Sequence, residues 1–186
     1  MAIALQKRRF TADDYQHMGR TGILSRHDRV ELIDGEVVAM TPIGPRHNAA
    51  VNRGTRALVL AAGRDAVVQP QGSVRLDGYH EPQPDLVLLR PRTDYASHLP
   101  EPADILLIVE IAESSLDYDR DLKSRIYAAA GIPEYWISDL GAERLYCYSH
   151  PEGGTYQTMA NRHRGETAAP QALPACAIQV EDLFAE

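Results

Sequence analysis

The chain has 186 residues, of which 44% are hydrophobic and 24% charged, and its formal net charge is −7. That is about one domain's worth of chain with enough apolar residues to build a core, which excludes wholesale disorder. No apolar run approaches the roughly 20 residues that cross a bilayer, and the two cysteines, Cys147 and Cys176, are too few for a disulfide scaffold or a cysteine-rich metal site. The acidic balance weighs against tight, non-specific binding of nucleic acid, which usually needs a basic surface. It does not exclude a local cleft of different character, because metal sites themselves need acids.

Residues 1–9 carry Lys7, Arg8 and Arg9 with no apolar segment and cleavage-type site behind them, so they read as a short flexible tail and not as an export signal. A reducing cytoplasm is the expected location. Thr11 is placed to cap a first helix, with Asp13 and Asp14 in its first turn. Residues 30–33 and 36–40 read as two strands joined by Asp34-Gly35, a strong tight-hairpin signal. Pro42 and Pro45 break the chain before a helix over 46–62.

At 100° per residue this helix puts Val51, Leu58, Val59 and Ala62 on one side, with His47 leaning toward them. Arg46, Arg53 and Arg64 fall on the opposite side with Arg56 beside them. That basic face is a solvated surface on the simplest reading. The same stripe, Arg46, Arg53 and Arg56 above all, is the candidate for contact with phosphates.

Further strands are expected at 66–69, 73–76, 85–89 and 105–112. The run Ile105 to Val109 is continuously apolar, as in a strand buried on both faces. A helix over 117–130 should stop at Gly131, ahead of Pro133. Strands follow at 134–138, 144–149 and 155–159, the last two as a hairpin. Residues 161–174 read as loop, and 178–184 as a terminal strand or turn. Neither an internal repeat nor a linker is visible, so the expectation is one α/β domain over 1–186.

Two acids stand out by position. Asp85 opens the apolar run Leu86 to Leu89, and Glu110 follows the five apolar residues of the next long strand. A charge in a buried strand costs several kcal/mol unless it is paired or bound to a metal. Taken singly, each could equally be a strand-end or solvent-facing carboxylate. Lys123 changes the weighing, because Ile126, Tyr127 and Ala130 are its i+3, i+4 and i+7 neighbours, which puts it on the apolar face of its helix. There it either seeks a carboxylate partner or snorkels, its stem covering apolar surface. Tyr127 and Trp136 read as core.

These residues carry a resemblance. Arg29-Val30-Glu31-Leu32-Ile33-Asp34-Gly35-Glu36-Val37-Val38, Met40-Thr41-Pro42 through His47, Glu81-Pro82-Gln83-Pro84-Asp85, Ile108-Val109-Glu110-Ile111, Asp119-Arg120 with Lys123, and Tyr127 through Gly131-Ile132-Pro133-Glu134-Tyr135-Trp136 occur in order, from about Phe10 to Ser149. The ordered set resembles the Uma-type restriction endonuclease family, a branch of the PD-(D/E)xK nuclease superfamily. The resemblance implies the α/β restriction-endonuclease-like fold, a central mixed sheet flanked by helices. It also implies metal-binding acids at Asp85 and Glu110, an additional acid at Glu31, and a catalytic lysine. The superfamily lysine usually stands two residues after the strand Glu, where this chain has Ala112. This family resembles the present pattern instead, with a lysine on the next helix, and Lys123 fits. His47 also matches a family position, and reads either as a satisfied core histidine or as a secondary ligand or base.

With oxygen ligands from Asp85, Glu110 and the backbone carbonyl of Ile111, such a site suits Mg²⁺ or Mn²⁺, and no organic cofactor is expected. The implied activity is metal-dependent endonucleolytic cleavage of DNA, and a homodimer would serve the cutting of two strands. Two other readings stay open: a non-catalytic binding or interaction protein on the same fold, and a metal-dependent hydrolase of RNA or another phosphoester.

Overall fold

Local chemistry starts the first helix where the sequence calls for it. In the computed structural model, which describes residues 8–25 and 27–184, the Thr11 hydroxyl accepts the Asp14 N–H at 3.1 Å and the Asp14 carboxylate accepts the Thr11 N–H at 3.0 Å. This reciprocal box opens α1 (Ala12–Thr21). Of the tail expected over 1–9, residues 1–7 lie outside the described residues. Arg9 pairs with Asp34 and lies 4.2 Å from the Tyr79 ring centre.

Strands β1 (Val30–Ile33) and β2 (Glu36–Ala39) form the expected hairpin, with Asp34 at φ 51° and Gly35 at φ 72° supplying the left-handed turn. Helix α2 (Pro45–Ala62) begins with proline at its first position, where the missing N–H costs nothing. Ala50, Val51, Leu58 and Ala62 are buried along one side, whereas Val59 is 48% exposed. The periodicity put Val59 on the apolar side with Val51, Leu58 and Ala62, and the packing leaves it outside.

The central sheet runs β3 (Val67–Pro70), β4 (Leu86–Leu89), β5 (Ile105–Ala112), β6 (Glu134–Asp139), β7 (Arg144–Glu152), β8 (Thr155–His163) in that spatial order. All neighbours are antiparallel except β5 and β6, so the sheet is mixed. Strand β5 is buried throughout, as its apolar run requires. One face of the sheet packs on α2 and on the C-terminal segment, with Leu86, Val109 and Trp136 meeting Leu58, Leu183 and Phe184. The other face, through Val87, Ile108 and Ile137, meets Tyr127 and Ile132 of the helical segment after β5.

Three expectations are corrected. Residues 73–76 are not a strand of the sheet: Val74 and Leu76 are buried, but their N–H groups go to the Pro82 and His80 carbonyls, which leaves no free ladder. The region read as loop from residue 161 contains the end of β8 and a short β9 (Thr167–Ala168), which pairs with β10 (Ile178–Gln179) before a 3₁₀ turn at Val180–Leu183. The helix expected over 117–130 is composite: α3 (Leu116–Tyr118), a π turn at Asp119–Lys123, then α4 (Ser124–Ala129). Its stop is as expected, with Gly131 at φ 76° and the N–H groups of Gly131 and Ile132 returning to the Ala128 and Tyr127 carbonyls. Among the described residues no helix is long and apolar enough to cross a membrane.

Candidate active site

The site begins where a ladder ends. Pairing between β4 and β5 stops at Leu86–Val109, so the next β5 residues have no strand partner on that side, and their backbone groups must be satisfied otherwise. Asp85, one residue before β4, does this with its side chain: Oδ2 accepts the Ile111 N–H at 2.9 Å. The same oxygen lies 2.9 Å from His47 Nε2, which reaches it from the first turn of α2. The Asp85 side chain is 13% exposed. Its Oδ1 takes no hydrogen bond from any described residue.

Glu110 sits on the strand face shared with Ile108 and Ala112, opposite Tyr127. It is buried, its Oε2 accepts the Asp85 N–H at 3.2 Å, and its Oε1 accepts the Tyr127 hydroxyl at 2.8 Å. Lys123 Nζ donates to the same Oε1 at 2.9 Å and stands 3.4 Å from Glu31 Oε2. Glu31 comes from β1 and is further held by the Gln83 N–H at 3.3 Å and the Tyr118 hydroxyl at 3.1 Å. Burial pushes the Glu110 carboxyl well above the ordinary carboxylate range, with Lys123 opposing and Asp119 and Asp85 adding to the push. Burial alone would lower Lys123, but Glu110 and Glu31 outweigh it and hold the ammonium above its ordinary value.

A fourth acid, Asp119, is buried and opens the π turn that Lys123 closes. The Ser115 hydroxyl donates to its Oδ2 at 2.6 Å. Burial raises its carboxyl to about 6, against the pull of Lys123 and Ser115. Widened turns of this kind cluster at functional sites in proteins generally.

These groups line one cleft of about 400 Å³, walled by Met40 to Gly44 after the hairpin and by Glu113 to Ser115 after β5. Among the described residues no three His, Cys, Asp or Glu side chains converge closely enough to hold a metal by themselves. Asp85 and Glu110, joined by the bond from the Asp85 N–H to Glu110 Oε2, offer neighbouring carboxylate oxygens in the cleft beside main-chain oxygen. N–H and C=O of one strand residue point to the same side, so the Ile111 carbonyl faces the side on which Asp85 takes its N–H. Two hard carboxylates, one carbonyl and space for water fit Mg²⁺, which keeps several waters and is usually held by one or two carboxylates.

The comparisons with known proteins bear on this arrangement. The pattern of the Uma2 family, described as "Putative restriction endonuclease", matches residues 12–181. The chain belongs to the Uma2 family. A crystal structure described as "a putative nuclease belonging to DUF820" from Anabaena variabilis ATCC 29413 superposes with a TM-score of 0.70 at 16% identity, covering 94% of this chain and 97% of that one. The fold is thus the α/β restriction-endonuclease-like fold, a mixed sheet flanked by helices. No curated protein sequence matches the chain.

In this family member the residues singled out from sequence fall into two groups. Glu31, His47, Asp85, Glu110, Ile111 and Lys123 all line the one cleft. Arg46, Arg53 and Arg56 do not: Arg46 donates to the Leu140 carbonyl at 3.2 Å, Arg53 to the Glu181 carbonyl at 3.2 Å, and Arg56 is exposed on α2. Tyr127 is core, as expected, but its hydroxyl also anchors Glu110. Asp119 escaped the reading as a site residue. The signal was present, since it lies four residues before Lys123, on the same helix face.

Proposed function

We propose that the chain is a divalent-metal-dependent endonuclease that hydrolyses phosphodiester bonds in DNA. The observation that carries this reading is the meeting of Asp85, Glu110 and Lys123 in one cleft, from a strand end, a buried strand and a helix. The family description and that of the solved neighbour support the backbone of a nucleic acid as substrate.

Asp85 through Oδ1, Glu110 through Oε2 and the Ile111 carbonyl would hold Mg²⁺ or Mn²⁺. Such an ion supplies a bound water of lowered pKa and offsets negative charge on the phosphodiester. Lys123 remains an ammonium at neutral pH, so it acts as a donor to phosphate or water oxygens and not as a base. Glu31 and Tyr127 fix the positions of Lys123 and Glu110. His47 and the Ile111 N–H fix Asp85, leaving its other oxygen toward the cleft.

The test is incubation of supercoiled plasmid and single-stranded DNA with the protein in Mg²⁺, Mn²⁺ or chelator, beside the Asp85→Ala and Lys123→Ala variants. Cleavage that needs metal and is lost in both variants is expected. Folded wild-type protein that leaves every substrate intact, or an active Asp85→Ala variant, would overturn the proposal.

A further inference from the structure

Asp119 has no part in the scheme above, yet it is the buried acid with the most to give. Glu31 and Glu110 have both carboxylate oxygens occupied by donors. Asp119 has one, Oδ2, occupied by Ser115, whereas Oδ1 takes no hydrogen bond from a described residue. The residue lines the cleft while being only 3% exposed. In a regular helix, positions four apart are offset by roughly 40°. Asp119 and Lys123 stand at the two ends of the π turn, and both line the cleft.

We propose that Asp119 is the general base of the hydrolysis, accepting on Oδ1 a proton from the water that attacks phosphorus. The inference rests on the reading of the cleft as a phosphodiesterase site. As the water oxygen bonds to phosphorus, one O–H bond breaks and its proton passes to Asp119. The P–O bond to the leaving sugar oxygen breaks, and that oxygen takes a proton from solvent water. Asp119 then returns its proton to solvent.

The surroundings suit the task. Lys123 and Ser115 from the same helical segment draw the carboxyl down, while burial and the charges of Asp85 and Glu31 drive it up. Glu110 on β5 accepts from Lys123 Nζ at 2.9 Å, and Tyr135 on β6 donates to the Asp119 main-chain carbonyl at 3.2 Å. The net effect is a carboxyl near 6, close to a neutral working pH, where a general base is most effective. Lys123, held as an ammonium, cannot take this role.

The experiment follows Mn²⁺-dependent cleavage of labelled single- and double-stranded oligonucleotides and of bis(p-nitrophenyl) phosphate against pH. It compares wild type with the Asp119→Asn, Ser115→Ala and Asp85→Asn variants, with Mn²⁺ binding measured by calorimetry. Asp119→Asn should lose about 100-fold or more of kcat, lose the acid limb of the profile, and bind Mn²⁺ within twofold of wild type. Ser115→Ala should move the acid limb to higher pH, because a hydrogen bond to the ionised carboxylate is gone. In metal-free wild type, the ¹³C signal of the Asp119 carboxyl should titrate near 6, a readout independent of activity and of any variant's folding. Wild-type activity with an unchanged Asp119→Asn profile would overturn the assignment, as would loss of Mn²⁺ binding in Asp119→Asn or a carboxyl titrating in the ordinary range. An inert wild type would instead remove the phosphodiesterase reading, and this inference with it.

Discussion

Lys123 Nζ lies 2.9 Å from Glu110 Oε1 and 3.4 Å from Glu31 Oε2, so one buried ammonium joins acids from two strands that belong to different sheets. All three residues are at most 4% exposed. Breaking such a group leaves carboxylates buried without their counter-charge, which costs more than the pair itself contributes. Lys123→Met should therefore lower unfolding free energy by about 3–5 kcal/mol in urea titrations. The double variant Lys123→Met/Glu110→Gln should lose less than the two single variants together. Additive losses would mean that the two side chains do not interact as described.

His47 is expected to act through Asp85. Its Nε2 is 2.9 Å from Asp85 Oδ2, while its Nδ1 is buried without a hydrogen-bond partner among the described residues. The imidazole thus makes one bond of consequence. His47→Ala should cost about 1 kcal/mol of stability and weaken Mn²⁺ binding about 10-fold, as loss of a group that orients a metal ligand typically does. Calorimetric titration with Mn²⁺ checks this, and an unchanged affinity would separate His47 from the metal site.

Asp119 gives the fold a pH dependence of definite sign. Its folded value of about 6 lies above its ordinary value of 3.8, so the folded state resists ionisation more than the unfolded chain does. Unfolding therefore releases a proton between pH 4 and 6, and stability falls as pH rises through that window, then levels off. At about 1.4 kcal/mol per pH unit the gap corresponds to about 3 kcal/mol. Asp119→Asn should match wild type near pH 4 and melt at a higher temperature above pH 6. Equal melting temperatures at pH 7.5 would show that the carboxyl is not raised.

Gly54 tests how α2 seats on the sheet. A Cβ there would stand 2.8 Å from Leu183 Cδ2 and 2.9 Å from Leu86 Cδ1. In an exposed helix Gly→Ala is favourable by about 1 kcal/mol. Here the methyl must displace two buried leucines, one on β4 and one in the C-terminal 3₁₀ turn, and overpacking costs typically 1–3 kcal/mol. Gly54→Ala should lower the melting temperature, and a rise would show that the helix is free to back away.

Much of this geometry was legible before any tertiary contact was known, and for local reasons. Thr11 and Asp14 cap each other across three residues, Asp34-Gly35 turns within two, and Gly131 ends its helix by adopting a left-handed conformation. Lys123 could be placed inward because helix periodicity ties it to Tyr127. Residues 73–76 misled because Val74 and Leu76 alternate like a strand, yet burial of alternate side chains does not require a sheet partner. The π turn at Asp119–Lys123 was invisible because helical periodicity alone does not mark where a helix widens by one residue.

The sequence by itself determined which residues carry charge into apolar segments: Asp85 before β4, Glu110 within β5, Lys123 on a helix stripe. Hydrophobic periodicity and strand-buried runs fix those positions relative to their own elements. Only the tertiary structure decided that the three meet. It set the β4–β5 register that ends at Leu86–Val109, the bond from the Ile111 N–H to Asp85, and the ordering of acids that leaves oxygens of Asp85 and Asp119 without hydrogen bonds among the described residues. Register between strands and the seating of a helix on a sheet depend on contacts far apart in sequence, and periodicity within one segment carries no information about them.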